Sequence, residues 1–173
     1  MIIDSHVHIW SYPVLGDIGD SWAIYGFSGN GRHNVEYYQV KSFVETMGPM
    51  VKGRIGAIQP RRSTRMGTAL RHSADKLARV SARSRHLILL SDGFPQDSDY
   101  GEDRRSNTYG IRDTAMALQE LERSGVGSFC ITIDPSGHDY LRDMCPGARY
   151  SVIDDISSLP GELPRVYRRV TRA

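Results

Sequence analysis

Two short and almost wholly apolar runs constrain the fold of this chain more than any other feature: LILL at residues 87–90 and FCITI at residues 129–133. The first leads into Ser91, Asp92 and Gly93, and the second leads into Asp134 and a proline. Near-continuous apolar runs are typical of strands that are covered on both faces, as in a parallel sheet. We therefore predict that the two runs form adjacent, parallel, central strands.

Weaker strand signals and amphipathic helical segments alternate with these two runs. Further strands are predicted at residues 22–27, 35–40 and 150–153. Apolar spacing of three, four and seven predicts helices at residues 50–58, 65–80, 111–123, 138–144 and 162–171. Asp113 or Thr114 is the candidate N-cap of the helix at 111–123. Strands that alternate with helices indicate an α/β fold: a Rossmann-like, open, mostly parallel sheet with helices on both faces.

The length of 173 residues suits one packed domain and is too short for a complete TIM barrel of roughly 250 residues. No apolar run approaches the roughly 18 residues of a membrane span, and no segment resembles a signal peptide. Cys130 and Cys145 are the only cysteines and form no CxxC pair, which disfavours structural zinc and fits a reducing compartment. We expect a soluble, cytoplasmic domain without a membrane partner.

Charge is distributed unevenly, although 22 basic and 20 acidic residues leave a net charge of only +2. Residues 52–85 hold ten basic residues and one acid, whereas residues 92–103 hold five acids before the first base. A basic run of this kind can bind nucleic acid, but it is more often a solvated helix face or a dock for an acidic protein. Aromatic residues for base stacking are absent from it. We therefore predict no nucleic-acid partner.

The ends of the two apolar runs are the candidate functional positions, because open α/β sheets bind ligands beyond the carboxyl ends of their strands. Asp92 and Asp134 both stand there, and each could be a functional acid or a turn former. Ser91 lacks the Gly-x-Ser-x-Gly context of a hydrolase nucleophile, and the chain has no Walker A or Gly-x-Gly-x-x-Gly sequence. The pattern alone leaves both alternatives open for each aspartate.

Six segments in order carry a family resemblance: GDSWAIYGFSGNGRHNVEYYQVKSF, TRMGTALRHS, LLSDGFPQDSDY, YGIRDTAMAL, FCITIDPSGHDYL and LPGELPRVYRRVT. Together they resemble a von Willebrand factor type A domain. More narrowly, they are similar to the C-terminal A-domain of the nitric-oxide-reductase activation (NorD-type) and Rubisco activation (CbbO-type) proteins. The resemblance covers residues 15–173 and leaves residues 1–14 as an atypical N-terminal segment.

The resemblance implies a metal-ion-dependent adhesion site, in which an Asp-x-Ser-x-Ser loop, a threonine and a further aspartate hold Mg²⁺ and the partner protein supplies a carboxylate. Thr64 matches the threonine and Asp92 the further aspartate. Residues 94–109 and, more closely, Ser91, Gly93, Gln96 and Asp97 are the expected partner-binding positions. Members of this family work with MoxR-type AAA+ ATPases to activate metalloenzymes. The resemblance therefore implies an adaptor that contacts such an ATPase or its target enzyme, and not a catalyst.

The N-terminus departs from the family pattern. The chain contains no Asp-x-Ser-x-Ser, and only about 20 residues precede GDSWAIYGF, so the first helix is expected to be missing or shortened and Mg²⁺ binding weak. The opening MIIDSHVHIWSYP resembles instead the start of an amidohydrolase, whose first strand ends in a metal-binding His-x-His. Residues 1–4 could replace the missing first strand, which would place Asp4, His6 and His8 where the Asp, Ser and Ser of the missing loop would stand. Histidine ligands would favour Zn²⁺. A metal-dependent hydrolase using His6 and His8 is the alternative function.

Overall fold

The fold is a six-stranded mixed sheet with helices on both faces, and the structure, a computed structural model, describes residues 8–14, 22–59, 61–101 and 108–171. The strands are β1 (His8–Val14), β2 (Ala23–Gly29), β3 (Val35–Lys41), β4 (Ser84–Ser91), β5 (Val126–Thr132) and β6 (Tyr150–Val152). The helices are α1 (Pro49–Gly56), α2 (Met66–Ala78), α3 (Thr108–Arg123), α4 (Gly137–Met144) and α5 (Leu159–Thr171). The strand order is β3-β2-β1-β4-β5-β6.

The two apolar runs form the adjacent central strands β4 and β5, as predicted. The strands are parallel, with Leu87 opposite Ser128 and Leu90 opposite Ile131, and β6 continues the parallel part of the sheet. Their side chains alternate between two cores, because successive residues of a strand point to opposite faces. Their side chains are almost completely buried, which explains why the runs contain so few polar residues.

Each face of β4 packs against a different set of helices. Leu87 and Leu89 belong to a core that contains residues of α2, α3 and α4, including Leu70 and Leu118. Ile88 and Leu90 belong to a second core on the opposite face, which includes Val166 and Val170 of α5. The predicted α/β class, with an open sheet and helices on both faces, is therefore confirmed.

The N-terminal half of the sheet is antiparallel. β1 pairs antiparallel with both β2 and β4, and β2 pairs antiparallel with β3. Only residues 15–22 connect β1 to β2. A parallel connection needs a crossover of about a dozen residues or more, usually with a helix, so this short connection returns the chain in the opposite direction. The sheet is consequently mixed, with its parallel part confined to β4, β5 and β6.

One local prediction is corrected by the boundaries of α3. The helix predicted at 111–123 begins at Thr108, so Asp113 and Thr114 lie inside α3 and not at its N-cap. The Thr114 hydroxyl instead donates to the Gly110 carbonyl, 2.8 Å away. The N-terminal strand is His8–Val14, whereas residues 1–4, proposed as a replacement strand, lie outside the described residues. Among the described residues, no helix combines the length and apolar character that a membrane crossing requires.

Candidate functional site

The candidate site lies where β2 and β4 end and where the segment before α2 runs between them. Gly29 and Ser63 exchange two backbone hydrogen bonds, with N–O distances of 2.7 and 3.0 Å. Thr64 and Gln96 exchange a second pair, at 2.7 and 3.2 Å. Three separate segments are thereby joined. We call residues 29–32, 63–65 and 91–101 together the loop edge.

Asp92 stands at the tip of a tight turn after β4. The Ser91 hydroxyl donates to the Gly93 carbonyl and accepts a hydrogen bond from the Gly93 amide at 3.2 Å, which closes the turn around Asp92. The Ser91 hydroxyl is therefore committed to the backbone. Asp92 is half-buried, and within the described part of the chain its carboxylate makes no hydrogen bond or ion pair. The Asp92 carboxylate is thus free of described intramolecular partners at the end of a central strand.

Asp97, one of the expected partner-binding positions, is instead a buried brace inside the loop edge. Its side chain is 0% exposed and forms an ion pair of 2.9 Å with Arg65, whose side chain is 10% exposed. The same carboxylate accepts hydrogen bonds from the amides of Gly31 at 3.3 Å and Asp99 at 3.0 Å. A Cβ on Gly29 would lie 2.7 Å from an Asp97 oxygen, so only glycine allows this approach. The Asp97 side chain is thus not available to a partner, whereas Gln96 beside it is exposed.

Tyr100 connects the loop edge to the helices. The Arg65 guanidinium lies over its ring at 4.5 Å, and its hydroxyl donates to Asp113 of α3 at 2.9 Å. Arg71 of α2 donates to the same Asp113 at 2.8 Å. Burial and the negative charge of Asp113 raise the pKa of Tyr100, so the phenol remains a donor at neutral pH. Sequence reasoning did not single out Arg65 or Tyr100, although both lie in segments that carry the family resemblance, because neither directly follows a predicted strand.

The partner-selecting segment predicted at residues 94–109 is described only in part. Phe94 is half-buried against the core and meets Tyr140 edge-on, with ring centroids 6.2 Å apart. Residues 102–107 lie outside the described residues, and Thr108 and Tyr109 already belong to α3. Gly93 is half-buried, and a Cβ there would meet nothing within 4 Å.

Asp134, the second strand-end aspartate, serves as a turn former. Its carboxylate accepts hydrogen bonds from both the amide and the hydroxyl of Ser136, at 2.9 and 2.7 Å. These contacts shape the turn that leads into α4. Of the two alternatives left open by the sequence, the structure favours the turn former at Asp134 and leaves Asp92 as the unpaired acid.

Cys130 and Cys145, distant in sequence, are neighbours in the core. Both thiols are buried and free. A hydrogen bond with Cys130, followed by burial, raises the pKa of the Cys145 thiol. Neither thiol therefore has the solvent access that a reactive nucleophile requires.

The candidate metal ligands of the N-terminal segment lie largely outside the described residues. Asp4 and His6 lie outside the described residues, and His8 is described by its backbone alone. His8 begins β1 and is opposite Leu90, so the backbone brings it to the same edge of the sheet as Asp92. A metal site that uses His6 and His8 therefore stays a prediction.

The donors in the described part of the chain do not make a complete Mg²⁺ shell. Mg²⁺ needs near-octahedral coordination by oxygen. Thr64 and Asp92 offer one hydroxyl and one carboxylate, while the Asp97 carboxylate is bound to Arg65. No group of three or more histidine, cysteine or acidic side chains in the described ranges could hold a metal ion. A metal at this edge would need further ligands from a partner protein, from water or from residues outside those ranges.

Much of the basic run at residues 52–85 is used within the molecule. Arg65 pairs with Asp97, Arg71 binds Asp113 and Glu120, and Arg85 donates to the Val80 carbonyl. The sequence therefore overstates the free positive charge of this surface.

Several proteins, most of them NorD proteins, align with most of the chain. It is 40% identical over 141 residues to Protein NorD of Stutzerimonas stutzeri and 37% identical over 150 residues to Protein NorD of Brucella melitensis. The chain has NorD homologues. These NorD alignments cover 82% and 87% of this chain. An uncharacterized protein of Pseudomonas aeruginosa, PA0525, is 39% identical over 158 residues, or 91% of the chain.

The chain spans about a quarter of the length of these curated relatives, between 22% and 25%. The region that this chain shares with the NorD proteins is thus one part of those longer proteins. Comparison with models of protein families gives no match, and no solved structure matches the chain.

Proposed function

We propose that this chain is a protein-interaction module of a metalloenzyme-activation complex of the kind that activates nitric oxide reductase. In this proposal it contacts a MoxR-type AAA+ ATPase, its target metalloenzyme or both through the loop edge. The NorD homologues at 36–40% identity and the ordered von Willebrand A-like motifs support the proposal. The site supports it independently, through Asp92.

The observation that carries the proposal is the unpaired carboxylate of Asp92 on a rigid frame. Asp92 is half-buried and has no polar partner among the described residues. The segments around it are held by the Gly29–Ser63 and Thr64–Gln96 pairings and by the buried Arg65–Asp97 ion pair. A binding surface that is already ordered loses little conformational entropy when a partner binds. A cationic or metal-bridged group of the partner would compensate the Asp92 charge.

The neighbours of Asp92 divide into contacting and supporting residues. Gln96 presents an exposed side chain from a backbone fixed by Thr64, so we assign it to the contact surface. Ser91 and Gly93 keep the turn that exposes Asp92, and Asp97 braces the frame from inside. The commitment of the Ser91 hydroxyl to Gly93 supports an adaptor over a serine hydrolase.

The test compares two strand-end aspartates. Asp92→Asn should weaken binding of the chain to a purified MoxR-type ATPase or to the reductase by at least tenfold, about 1.4 kcal/mol, in a titration calorimeter. Its melting temperature should remain that of the unsubstituted chain, because Asp92 makes no described contact. Asp134→Asn is the matched control and should leave binding unchanged, since an amide oxygen can still accept the two bonds from Ser136.

Unchanged binding by Asp92→Asn would remove Asp92 from the interface. Failure of the unsubstituted chain to bind either protein would contradict the proposed function itself. Hydrolysis of lactones or amides that disappears in His6→Ala would establish the hydrolase alternative in its place.

A further inference from the structure

A second surface, remote in the chain from Asp92, exposes an unusual concentration of apolar side chains. Six large apolar residues are exposed within the described ranges, and four of them fall in one twelve-residue segment. These four are Val44 (93% exposed), Met47 (43%), Met50 (80%) and Ile55 (36%). We call residues 44–55 the apolar patch. Such concentrations mark binding sites more often than scattered surface residues do.

The apolar patch has a defined structure. The Glu45 carboxylate accepts a hydrogen bond from the Ser42 amide at 2.7 Å and forms an ion pair with Arg54. This pair holds the loop before α1 against the last turn of the helix. Val44 and Ile55 are the sequence neighbours of the two paired residues. The hydrogen bonds from the Ser42 amide and the Arg54 guanidinium also lower the pKa of Glu45, to about 2, so the carboxylate stays charged at neutral pH.

Helix α1 itself is only lightly attached to the rest of the molecule. Val51 is its single buried residue. A Cβ at Gly53 or Gly56 would meet nothing within 4 Å, so the helix surface beside the apolar side chains is open. A helix of eight residues with one glycine inside it and a second at its end has little stability of its own and gains from any partner that covers it.

Charge around the apolar patch specifies the sign of the partner. Residues 44–62 contain four basic residues and one acid, Glu45, which is already bound to Arg54. Arg61 makes a long, exposed contact of 3.8 Å with Glu36, and its guanidinium lies over the Tyr38 ring at 4.5 Å. Lys52 and Arg62 are exposed and have no acidic partner in the described structure. The partner should therefore present acidic groups beside its apolar ones.

We propose that the apolar patch docks an acidic amphipathic α-helix of a partner protein. Methionine side chains are flexible and polarisable, so Met47 and Met50 can adapt to the ridge of such a helix. The partner's acidic residues would face Lys52 and Arg62. A membrane surface fits less well, because interfacial helices generally bury a long apolar face and α1 has eight residues with an ion pair at its side. The inference does not depend on Asp92.

The probe is a fluorescein-labelled synthetic peptide of about 18 residues, with leucines along one helical face and glutamates elsewhere. Two control peptides carry lysine in place of glutamate, or alanine in place of leucine. Fluorescence anisotropy should show the acidic leucine peptide binding at least tenfold more tightly than either control. Its dissociation constant should rise with salt, because exposed charges are screened.

Met50→Glu tests the location of the binding site. Met50 is 80% exposed, so the substitution should leave the melting temperature unchanged and weaken peptide binding at least tenfold. Met116→Glu, at an exposed methionine of α3, is the matched control and should bind like the unsubstituted chain. Asp92→Asn should also bind the peptide normally, which separates this proposal from the proposed function.

Three results would overturn the proposal. They are equal binding of the lysine peptide, normal binding of the acidic peptide by Met50→Glu, and no binding of the acidic peptide at all. Binding to vesicles of anionic lipid that is lost in Met50→Glu would assign the patch to a membrane. Concentration-dependent dimerisation that is lost in Met50→Glu, measured by sedimentation, would assign it to a second copy of the chain.

Discussion

At the scale of single residues, the Arg65–Asp97 ion pair is the most consequential contact of the loop edge. Asp97 contacts Arg65 and two backbone amides, while Arg65 also covers the ring of Tyr100. Both charges are withdrawn from water, so each depends on the other for compensation. The pair explains how loops that carry a candidate binding site can remain ordered without a bound partner.

Asp97→Asn should therefore lower the free energy of unfolding by about 3–5 kcal/mol, because it leaves the buried Arg65 guanidinium without its counter-charge. Urea denaturation monitored by circular dichroism measures the loss. Asp99→Asn is the control, since Asp99 pairs with Arg32 near the surface, at 3.5 Å. Its effect should be much smaller, and equal losses in the two variants would contradict the assigned role of Asp97.

His86 is a second residue whose environment sets a measurable property. It lies in β4 opposite Tyr12 and Gly127, and both ring nitrogens lack hydrogen-bond partners in the described structure. Burial lowers its pKa. The unfolded chain takes up a proton at His86 near pH 6.5, whereas the folded chain does so only at lower pH. Stability therefore falls as the pH drops below about 6.5.

The prediction is that lowering the pH from 7.5 to 5.5 costs the unsubstituted chain more stability than it costs His86→Leu. The difference should approach, and not exceed, about 1.4 kcal/mol per pH unit, which corresponds to one proton. Denaturant titrations at the two pH values give both numbers. His33→Leu, at an exposed turn, should retain the full pH dependence because His86 is intact. An unaltered slope in His86→Leu would refute the argument.

At the scale of elements, α2 and α3 approach each other closely at a glycine. A Cβ on Gly67 of α2 would lie 2.7 Å from the Asp113 carboxyl carbon on α3. Asp113 cannot move aside freely, because Arg71 and Tyr100 both bind it. The close approach of the two helices therefore depends on a residue without a side chain, a requirement that helix propensity alone would not predict.

Gly67→Ala should destabilise the chain by about 1–3 kcal/mol through this overpacking. Gly53→Ala is a helical counterpart with free space around it and should stabilise the chain by about 0.5–1 kcal/mol, since alanine loses less backbone entropy than glycine. Thermal and urea unfolding of the two variants would show opposite signs. Destabilisation by both would mean that α1 is packed more tightly than the structure shows.

At the scale of the whole molecule, metal binding should contribute little to stability. The described residues offer Mg²⁺ only Thr64 and Asp92, so its dissociation constant should be millimolar at best, roughly −4 kcal/mol. At about 1 mM, Mg²⁺ would then stabilise the fold by less than about 0.5 kcal/mol. Differential scanning fluorimetry should accordingly show no rise in melting temperature between EDTA and millimolar Mg²⁺.

The same assay with Zn²⁺ tests whether the histidines of the N-terminal segment bind a metal ion. A rise with Zn²⁺ that is lost in His6→Ala would show that the histidines form a metal site. A clear rise with Mg²⁺ that survives both His6→Ala and His8→Ala would show instead that other residues complete the shell around Asp92.

The elements themselves follow largely from local sequence pattern. The apolar runs at 87–90 and 129–133 became β4 and β5, and the amphipathic segment at 65–80 became α2, with boundaries shifted by a few residues. These patterns can be read within one segment, because the spacing of apolar residues along an element reflects which of its faces are buried. Helix ends follow the pattern less closely: α3 begins at Thr108, three residues before Ile111.

The sequence by itself determined the α/β class, the central parallel strands and the position of Asp92 at the end of one of them. Only the tertiary structure decided that Asp97 is buried while Asp92 is unpaired, that Asp134 shapes a turn, and that Cys130 meets Cys145. It also decided the antiparallel direction of β1. The physical reason is that a charged group's partners lie far away in sequence, as Arg65 and Asp97 do, and periodicity carries no information about which distant residues will meet.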